Sequence, residues 1–588
     1  MARSKSGASI LVRSIGGSSS RASPARTSML FFNIARRSAR STLRVPEILS
    51  PNDWMNAKLA IDCLVLFLYF FIIVAIGLRM GRKERDLEDF ALGRRQIPWW
   101  AVLASLIAAE TSAGTFFGTP GEGYTQRNYT YLQLALGTII ARILVSFIFI
   151  KPYYDYKVFS IYEYLTVRFG VGTKNAASAI FLFTRLLASG ARLYVAAIAL
   201  ALAYEMIRGV RPTQTETLWI YVGATVAIVL LTAIYTTLGG IKAVIWTDLI
   251  QASIMIGSAL VALGLLYSAI PGGWHSIVEH RGPFHLSDFI ATGLDPAKHG
   301  WDKWKGMFAI EYTIFAGLIG STFMTMSTHG TDQDMVQRML TAPDVRRSRR
   351  SLIMSGLADI PIAFTFLSIG VLLWVFYQTH QDHVVPKTPN EIFCHYILYE
   401  MPVGLRGLLL AGIFATAMGS LSTALNALAT SFTRDWYVTY IRPGANGVDS
   451  LRAVRWATVG FSILMIVVAS TTSYFVIVRP TVRIIPIVLG IYGYTYGSVL
   501  GIFLAGMLTK TRGNDHGNFI AMIAGFIVVT ILSGLPNNLA KIFGSQLYSQ
   551  PEWLPVMEFP WWICFGTIVT FFVAILFRTS REHHSAGV

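Results

Sequence analysis

The chain contains a succession of apolar runs, each long enough to cross the hydrocarbon core of a bilayer. A transmembrane helix needs about 20 predominantly apolar residues. Thirteen stretches meet that requirement: 59–78, 97–119, 128–150, 174–206, 217–237, 243–269, 306–328, 351–377, 405–433, 456–478, 484–508, 517–535 and 561–578. Only 14% of the 588 residues are charged, whereas soluble domains have about 25%. The sequence therefore predicts an all-α, polytopic membrane protein with about 13 transmembrane helices.

The distribution of basic residues predicts how the chain is oriented. The formal net charge is +17, but the basic residues lie between the apolar runs, where they act as orientation signals and do not indicate a nucleic-acid partner. With residues 1–58 left aside, one alternating set of loops carries 24 Lys and Arg residues and the other set carries 12. The positive-inside rule then predicts a multi-pass protein of the plasma or inner membrane, with its N-terminus outside and its C-terminus in the cytoplasm. The three cysteines lie too far apart in sequence to indicate a disulfide framework or a metal site.

The N-terminal segment conflicts with that orientation. Residues 1–58 carry ten Lys and Arg residues and no acidic residue before Glu47, yet an outside N-terminus would require their export. An Arg- and Ser-rich transit peptide is one interpretation. We favour a misassigned start, with translation beginning near Met55, so that residues 1–55 are a basic extension, and we expect residues 1–50 to be disordered if they are present.

The second apolar run is interrupted at mid-depth. Glu110, Thr111 and Ser112 stand in its centre, and Gly118 and Pro120 follow them. A buried carboxylate in hydrocarbon costs about 2.5–3.5 kcal/mol on insertion scales. Unwound backbone at this depth is tolerated only where it lines an enclosed cavity. A helix broken at the midplane is therefore typical of an ion and substrate site in a secondary transporter.

The seventh run repeats this design with glycines, hydroxyl residues and a histidine between Gly317 and His329. Paired broken segments in corresponding halves indicate an inverted repeat with its site between them. We therefore expect four parts: residues 1–55; residues 56–96 with a peripheral first span and a cytoplasmic loop; a transport core at 97–510, built from 97–270 and 306–510; and residues 511–588 with two additional spans and a short tail.

Oxygen-bearing side chains also interrupt the sixth and ninth runs. Asp248 lies inside the sixth run, and Thr416, Ser420, Ser422 and Thr423 lie in the ninth. Such hydroxyls can join helices through hydrogen bonds, or they can serve as hard oxygen ligands of the kind that small cations prefer. Beside a broken helix and a buried acid, the pattern favours an ion site.

Five stretches of the chain carry a family resemblance: SLIAAETSAGTFFGTPGEGY, GARLYVAAIAL, TTLGGIKAVIWTDLIQ, TDQDMVQRML and GSLSTALNALATSFTRDWY. They resemble the sodium/solute symporter family, whose members have a leucine-transporter-like five-plus-five inverted repeat. The resemblance implies a primary sodium site that uses the backbone carbonyls of Ala108, Thr111 and Thr416 and the hydroxyl of Ser420. A second hydroxyl expected at position 419 is replaced by glycine. A second sodium site would use Asp248, Ser422 and Thr423.

The same resemblance implies a set of solute-binding positions. They are Glu110, Thr115, Gln133, Thr325, Thr328, His329 and Tyr492. Sugar-transporting members have amide groups at the positions of Glu110 and Thr115 and an acid at that of Leu134, so the side chains here argue against a galactose-type pocket. The GGIKAVIWTD and YEYL stretches are more similar to the monocarboxylate and vitamin branch. Glu110 would repel an anion unless it is protonated or faces a cation, and pairing with Arg142 or Arg192 is an alternative to direct solute contact.

The function expected from these features is sodium-coupled symport. Such a carrier would import a small organic solute (a monocarboxylate, vitamin, sugar or related compound) by alternating access, and would function as a monomer in the lipid bilayer. A proton-coupled carrier that uses Glu110 or Asp248 is the alternative mechanism. A transporter-like sensor is a further alternative, although the short segment RTSREHHSAGV after the last apolar run is not expected to form an output domain. No catalytic motif accompanies the neighbouring His329 and Asp332, so an enzyme is not expected.

Overall fold

A computed structural model describes residues 51–80, 84–386, 388–478, 484–542, 554 and 557–579. The chain divides into two units, residues 1–56 and 57–588. Of the first unit only residues 51–56 are described, as the beginning of a helix. The expectation of disorder before residue 51 therefore lies outside the described residues, and the predicted division into four parts stays a prediction.

The described part of the chain is helical, which confirms the all-α class. The first ten helices are α1 Pro51–Met80, α2 Leu87–Leu92, α3 Trp99–Glu110, α4 Ala113–Gln126, α5 Gln133–Ile148, α6 Ile150–Asp155, α7 Glu163–Arg168, α8 Val171–Arg208, α9 Gln214–Ala269 and α10 Trp274–Arg281. The others are α11 Asp302–Ala309, α12 Ser321–Gly330, α13 Gln333–Met339, α14 Val345–Thr379, α15 Ile392–Glu400, α16 Leu405–Ser431, α17 Gly447–Val478, α18 Ile484–Leu508, α19 Asp515–Leu532, α20 Leu535–Ile542 and α21 Phe559–Leu576.

The exact number of thirteen spans is not confirmed. Within the described ranges ten helices are long and apolar enough to cross a membrane, or eleven if the bent pair α3 and α4 forms one span. The predicted runs 217–237 and 243–269 both lie in α9, whose 56 residues would extend about 84 Å if straight. The predicted run 306–328 is divided among α11, a π-helical turn at Ala316–Gly320 and α12, because its glycines and hydroxyl residues do not support one continuous apolar helix.

Helix α9 consists of two helical segments that meet at a kink at Gly240, and the two predicted runs lie on opposite sides of that kink. Gly240 has φ 48° and ψ −151°, a conformation outside the helical region. A Cβ atom at this position would lie 2.6 Å from the carbonyl oxygen of Phe90. Both the positive φ and the close approach of the chain around α2 therefore require glycine.

Helix α16 is the most enclosed long helix at the candidate site. Its residues from Gly412 to Gly419 and from Leu421 to Ser431 are all buried. It packs against α9, α8, α17, α3 and α4. In contrast, α1 exposes apolar side chains such as Phe67 and Phe71, as expected for a helix that faces lipid. The ninth apolar run is therefore the central helix against which the broken second run is packed.

Candidate ion and solute site

The predicted interruption of the second run is present in the structure. Helix α3 ends at Glu110 and α4 begins at Ala113, and the two helix axes are bent by 62°. Between them Thr111 has ψ 85° and Ser112 has ψ 168°, values outside the helical region. The polar residues at mid-depth therefore mark a true break, as the cost of burying them in a continuous lipid-facing helix predicts.

The break removes helical hydrogen-bond donors from two backbone carbonyls. In a continuous helix the Ser112 N–H would donate to the Ala108 carbonyl, but it donates to the Glu110 carbonyl at 2.9 Å. In the same way, the Thr115 N–H would donate to the Thr111 carbonyl in an unbroken helix, but it donates to the Ser112 carbonyl at 2.9 Å. Ala108 and Thr111 are the two residues whose carbonyls the family resemblance implies as sodium ligands. Unwound backbone carbonyls of this kind coordinate cations in broken-helix transporters.

The four hydroxyl side chains of α16 that the sequence analysis singled out all donate their protons to their own helix. Thr416 Oγ1 donates to the Ile413 carbonyl at 2.7 Å, and Ser420 Oγ donates to the Ala417 carbonyl at 3.1 Å. Ser422 Oγ and Thr423 Oγ1 both donate to the Gly419 carbonyl, at 3.0 and 3.2 Å. A hydroxyl whose proton is used in this way retains its oxygen lone pairs. Each of the four side chains can therefore still present an oxygen to a cation.

Asp248 is fully buried in α9 and already has a cationic partner. Its Oδ2 accepts hydrogen bonds from Ser105 Oγ at 2.6 Å and from Arg338 Nη1 at 2.8 Å. Arg338 is itself fully buried in α13, and its Nε lies 3.9 Å from a carboxylate oxygen of Asp334. The acid predicted for the second sodium site is thus one half of a buried ion pair, with Oδ1 left without a hydrogen-bond partner.

Glu110 faces an arginine and a histidine at the end of α3. Its carboxylate pairs with Arg142 of α5 and lies 2.6 Å from His329 Nε2 of α12. Arg142 also binds Asp359 at 2.8 Å and Ser355 Oγ at 2.9 Å. Of the two pairing partners considered for Glu110, the structure selects Arg142. Arg142 is thus shared between two carboxylates, those of Glu110 and Asp359.

Three of the predicted solute positions form a connected polar chain on α12. His329 Nδ1 lies 3.0 Å from Thr328 Oγ1, and Thr328 Oγ1 in turn donates to the Thr325 carbonyl at 3.2 Å. Thr325 Oγ1 lies 3.2 Å from Thr138 Oγ1 of α5. Together with the contact between His329 and Glu110, this chain brings α3, α5 and α12 to one polar region.

Gln133 and Thr115 are placed differently. The Gln133 amide donates to the Thr130 and Tyr312 carbonyls at 3.0 and 3.1 Å, and its oxygen accepts from the Ala291 N–H at 3.2 Å. Each polar atom of this side chain therefore has a backbone partner. Thr115 is half-buried in the first turn of α4. Solute contact at both positions stays a prediction.

Tyr492 of α18 lies beside two arginines of α8. Its hydroxyl accepts hydrogen bonds from Arg185 Nη1 at 3.2 Å and from Arg192 Nη2 at 2.5 Å. Arg185 also binds Asp332 at 3.0 Å and pairs with Asp334. Arg192 instead donates its Nε proton to the Ala188 carbonyl at 3.1 Å. In the described part of the chain, no carboxylate forms an ion pair with Arg192.

Arg338 and Gln251 are site residues that the sequence did not single out. Arg338 resembles one more basic residue of a cytoplasmic loop, although it lies in the TDQDMVQRML stretch, whose other residues are also buried. Gln251 is three residues after Asp248, on the same face of α9, and is 1% exposed. The three-residue spacing of Asp248 and Gln251 within one apolar run was the signal that could have identified Gln251.

Comparison with known proteins gives matches along most of the chain. A family model described as the sodium:solute symporter family matches residues 90–525. A sodium/sialic acid symporter of Proteus mirabilis is 27% identical over 83% of this chain and 90% of its own length. Sodium-coupled monocarboxylate transporter 2 of Bos taurus is 27% identical over 80% of this chain and 71% of its own.

One solved structure is similar over most of the molecule. It is the substrate-bound outward-open state of a Na+-coupled sialic acid symporter, with a TM-score of 0.71 and 24% identity, covering 88% of this chain and 97% of that chain. This likeness shows that the two chains share a fold.

Proposed function

The chain belongs to the sodium:solute symporter family, and on that premise we propose that it imports a small carboxylate-bearing solute together with sodium by alternating access. Members of this family are multi-pass membrane transporters and not enzymes. The proposal specifies the coupling ion, the chemical class of the solute and the direction of transport.

The broken helix is the observation that carries the ion part of the proposal. The carbonyls of Ala108 and Thr111 have lost the donors that a continuous helix would give them. The Ala108 carbonyl approaches α16 next to Ser420, since a Cβ atom at Gly419 would lie 3.6 Å from it. Uncharged carbonyl and hydroxyl oxygens would hold a cation weakly enough for it to leave on the low-sodium side. Coupling follows if ion and solute together favour the state that closes to the outside, because an ion that bound both states equally would shift nothing.

The solute part rests on Arg192. The other buried or half-buried arginines of the region, Arg142, Arg185 and Arg338, each contact carboxylates of the protein. Arg192 contacts a carbonyl and the Tyr492 hydroxyl instead. Its planar guanidinium suits bidentate recognition of a carboxylate. The two relatives described above are transporters of acids by name, which supports the same class of solute.

Glu110 does not oppose an anionic solute in this arrangement. Its carboxylate is paired with Arg142 and contacts His329, so its field at the solute is reduced by a cation at contact distance. The departure of Glu110 and Thr115 from the sugar-type pattern is consistent with a solute other than a hexose.

We further propose that the protein acts as a monomer in the plasma or inner membrane, with its N-terminus outside and its C-terminus in the cytoplasm. The excess of Lys and Arg in one alternating set of loops supports this orientation. Labelling of single cysteines introduced on opposite sides of the protein in right-side-out vesicles tests it. Reaction from the outside of a cysteine placed at the start of α14, beside Arg346, would contradict it.

Uptake into proteoliposomes tests the coupling ion. Radiolabelled monocarboxylates, sialic acids, vitamins and sugars are offered under an inward sodium gradient or an inward proton gradient. We expect an acid to accumulate only with sodium, and Ser420→Ala to raise the sodium concentration needed for half-maximal uptake by about tenfold, the equivalent of 1.4 kcal/mol. Ser253→Ala on the exposed face of α9 is the control. Uptake driven by protons without sodium would instead support the proton-coupled alternative.

A substitution of Arg192 tests the solute class. Arg192→Gln removes the charge but keeps hydrogen-bonding groups, and we expect it to raise the KM for the acid at least tenfold while leaving sodium binding in place. Arg192→Lys restores the charge without the planar fork and is expected to recover only part of the affinity. Unchanged KM in Arg192→Gln would show that another group recognises the solute.

A further inference from the structure

Position 419 of α16 is surrounded by oxygen atoms. The three nearest atoms to a Cβ built on Gly419 are Gln251 Oε1 at 3.0 Å, the Ala108 carbonyl oxygen at 3.6 Å and Asp248 Oδ1 at 3.6 Å. They come from two helices, α3 and α9, that both pack against α16. The space that a side chain would fill at this position is therefore bounded by acceptors.

These acceptors lack hydrogen-bond donors. Within the described part of the chain, neither Gln251 Oε1 nor Asp248 Oδ1 has a hydrogen-bond partner, and the two residues are only 1% and 0% exposed. The Ala108 carbonyl has lost its helical donor to the break after Glu110. An unsatisfied buried acceptor is costly, and three of them around one point are explained if a ligand that offers positive charge binds there.

The orientation of Gln251 agrees with that explanation. Its amide nitrogen lies 3.5 Å from the Tyr69 hydroxyl, so its oxygen is the atom turned toward Gly419. The Asp248 charge is already balanced by Arg338 through the other carboxylate oxygen. A small monovalent cation beside Oδ1 would then meet three oxygen ligands of the hard type that such ions prefer, supplied by an unwound carbonyl and two side chains.

We propose that Gln251 Oε1 is a sodium ligand in this chain, and that it supplies the oxygen that the missing hydroxyl at position 419 would otherwise give. The ion would lie beside Gly419, between the Ala108 carbonyl, Gln251 Oε1 and Asp248 Oδ1. This inference rests on the sodium coupling proposed above. It adds Gln251 to the predicted ligands and joins Ala108 and Asp248, which the resemblance assigns to two separate sites, around one ion.

Steric fit explains why glycine and glutamine occur together. A Cβ atom 3.0 Å from Gln251 Oε1 is closer than ordinary van der Waals contact, so a serine at 419 would push the amide oxygen away from its present position. Glycine leaves that position open to the amide oxygen. The two residues should therefore be exchangeable as a pair, with a hydroxyl on α16 replacing the amide on α9.

Sodium binding to the purified full-length protein tests the proposal without a transport assay. The unfolding temperature is measured as sodium chloride replaces choline chloride at constant ionic strength, and 22Na+ binding is measured on the same samples. Gln251→Leu keeps the side-chain volume and removes the oxygen, and we expect at least a tenfold weaker apparent sodium affinity. Adding Gly419→Ser to Gln251→Leu is expected to restore most of the loss. Thr247→Val is the matched control, because it removes another buried oxygen of α9 whose proton is donated to the helix backbone.

The possible outcomes distinguish failure of the proposed role of Gln251 from failure of the proposed sodium coupling. Wild-type protein without any response to sodium refutes the proposed coupling ion itself. A normal sodium response in both wild type and Gln251→Leu refutes only the role of Gln251. A double variant that binds no better than Gln251→Leu refutes the exchange between positions 419 and 251.

A second variant covers the case in which Gln251→Leu does not fold. Gln251→Glu keeps an oxygen and adds charge, so at pH 8.5 it is expected to bind sodium more tightly than wild type. If the glutamine instead donated its NH2 group to Asp248 and Ala108, a glutamate there would meet only acceptors. Weaker sodium binding together with lower thermal stability in Gln251→Glu would therefore overturn the proposal.

Discussion

The charge cluster around Arg142 allows one substitution series to be predicted in detail. Arg142 is 1% exposed and contacts two acids, Glu110 and Asp359, whose side chains are 17% and 26% exposed. Arg142→Met keeps much of the side-chain volume but leaves two carboxylates facing each other without their cation. Glu110→Gln removes one acid and leaves the pair of Arg142 and Asp359 in place.

The expected magnitudes follow from this imbalance. Removing one partner of a buried ion pair costs about 3–5 kcal/mol because the other charge stays buried. The partial exposure of both acids places Arg142→Met near the lower end, at about 3 kcal/mol. In Glu110→Gln the amide oxygen still accepts from Arg142, so a hydrogen bond between two charged groups becomes one with a neutral acceptor, at a cost of about 1 kcal/mol. The difference between the two variants is therefore about 2 kcal/mol.

Thermal unfolding of the detergent-solubilised protein, followed by tryptophan fluorescence at one scan rate, measures the order of stability. Unfolding of such a protein is commonly irreversible, so midpoints are compared and not converted to equilibrium values. Arg349→Met serves as the control, because Arg349 is half-buried, donates to the Ser146 carbonyl and has no acidic partner within the described residues. We expect the midpoint to fall by several degrees in Arg142→Met and much less in Glu110→Gln and in the control.

Two results would refute this reasoning. Equal destabilisation by Arg142→Met and Glu110→Gln would mean that the cluster acts through packing and not through charge balance. Introducing Arg142→Met together with Glu110→Gln and Asp359→Asn should recover most of the lost stability, since no uncompensated charge then remains. A triple variant as unstable as Arg142→Met would contradict the electrostatic account.

Two further predictions concern groups outside the candidate site. Burial raises the pKa of Glu84 from 4.5 to about 8 in the loop before α2, so the folded state holds a proton that the unfolded chain releases, and thermal stability should fall as the pH rises from 5 to 9. Glu84→Gln should flatten that part of the pH profile, and an unchanged slope would contradict the assignment. Asp62 of α1 accepts hydrogen bonds from the Gly404 and Gly407 N–H groups and from Arg406. Asp62→Ala should lower the free energy of unfolding by about 3–5 kcal/mol and the unfolding midpoint by several degrees. Cys63→Ser, at the exposed neighbouring position, is the control and should leave the midpoint unchanged. Equal effects of the two substitutions would contradict the role of the carboxylate.

The break in the second span could be predicted from the sequence because its cause is local. Glu110 and the hydroxyls after it cannot lie in a lipid-facing helix without a large cost, and glycines follow at once. The structure places the break within two residues of Glu110. The buried acid at Asp248 could be predicted for the same reason.

The partners of those groups could not be predicted, because they depend on how distant segments pack. Arg338 is 90 residues from Asp248 and resembles a loop residue in composition. Gln133 shows the same dependence on packing. Its position in the family pattern suggests solute contact, but its amide is hydrogen-bonded to three backbone groups. The count of thirteen spans is not confirmed, because it depends on whether kinked or broken helices such as α9 are counted as one span or two.

The pair of Asp248 and Arg338 has a consequence for the electrical behaviour of the transporter. Because the acid keeps its own arginine, a sodium ion that binds beside Oδ1 adds a whole charge to the moving complex. The membrane potential would then act on that charge with about 2.3 kcal/mol per 100 mV. A solute with a single carboxylate would cancel it, so one sodium per monoanion would produce no current. For a monoanionic solute, the number of charges that cross the membrane per solute molecule would therefore equal the number of sodium ions transported in addition to the first.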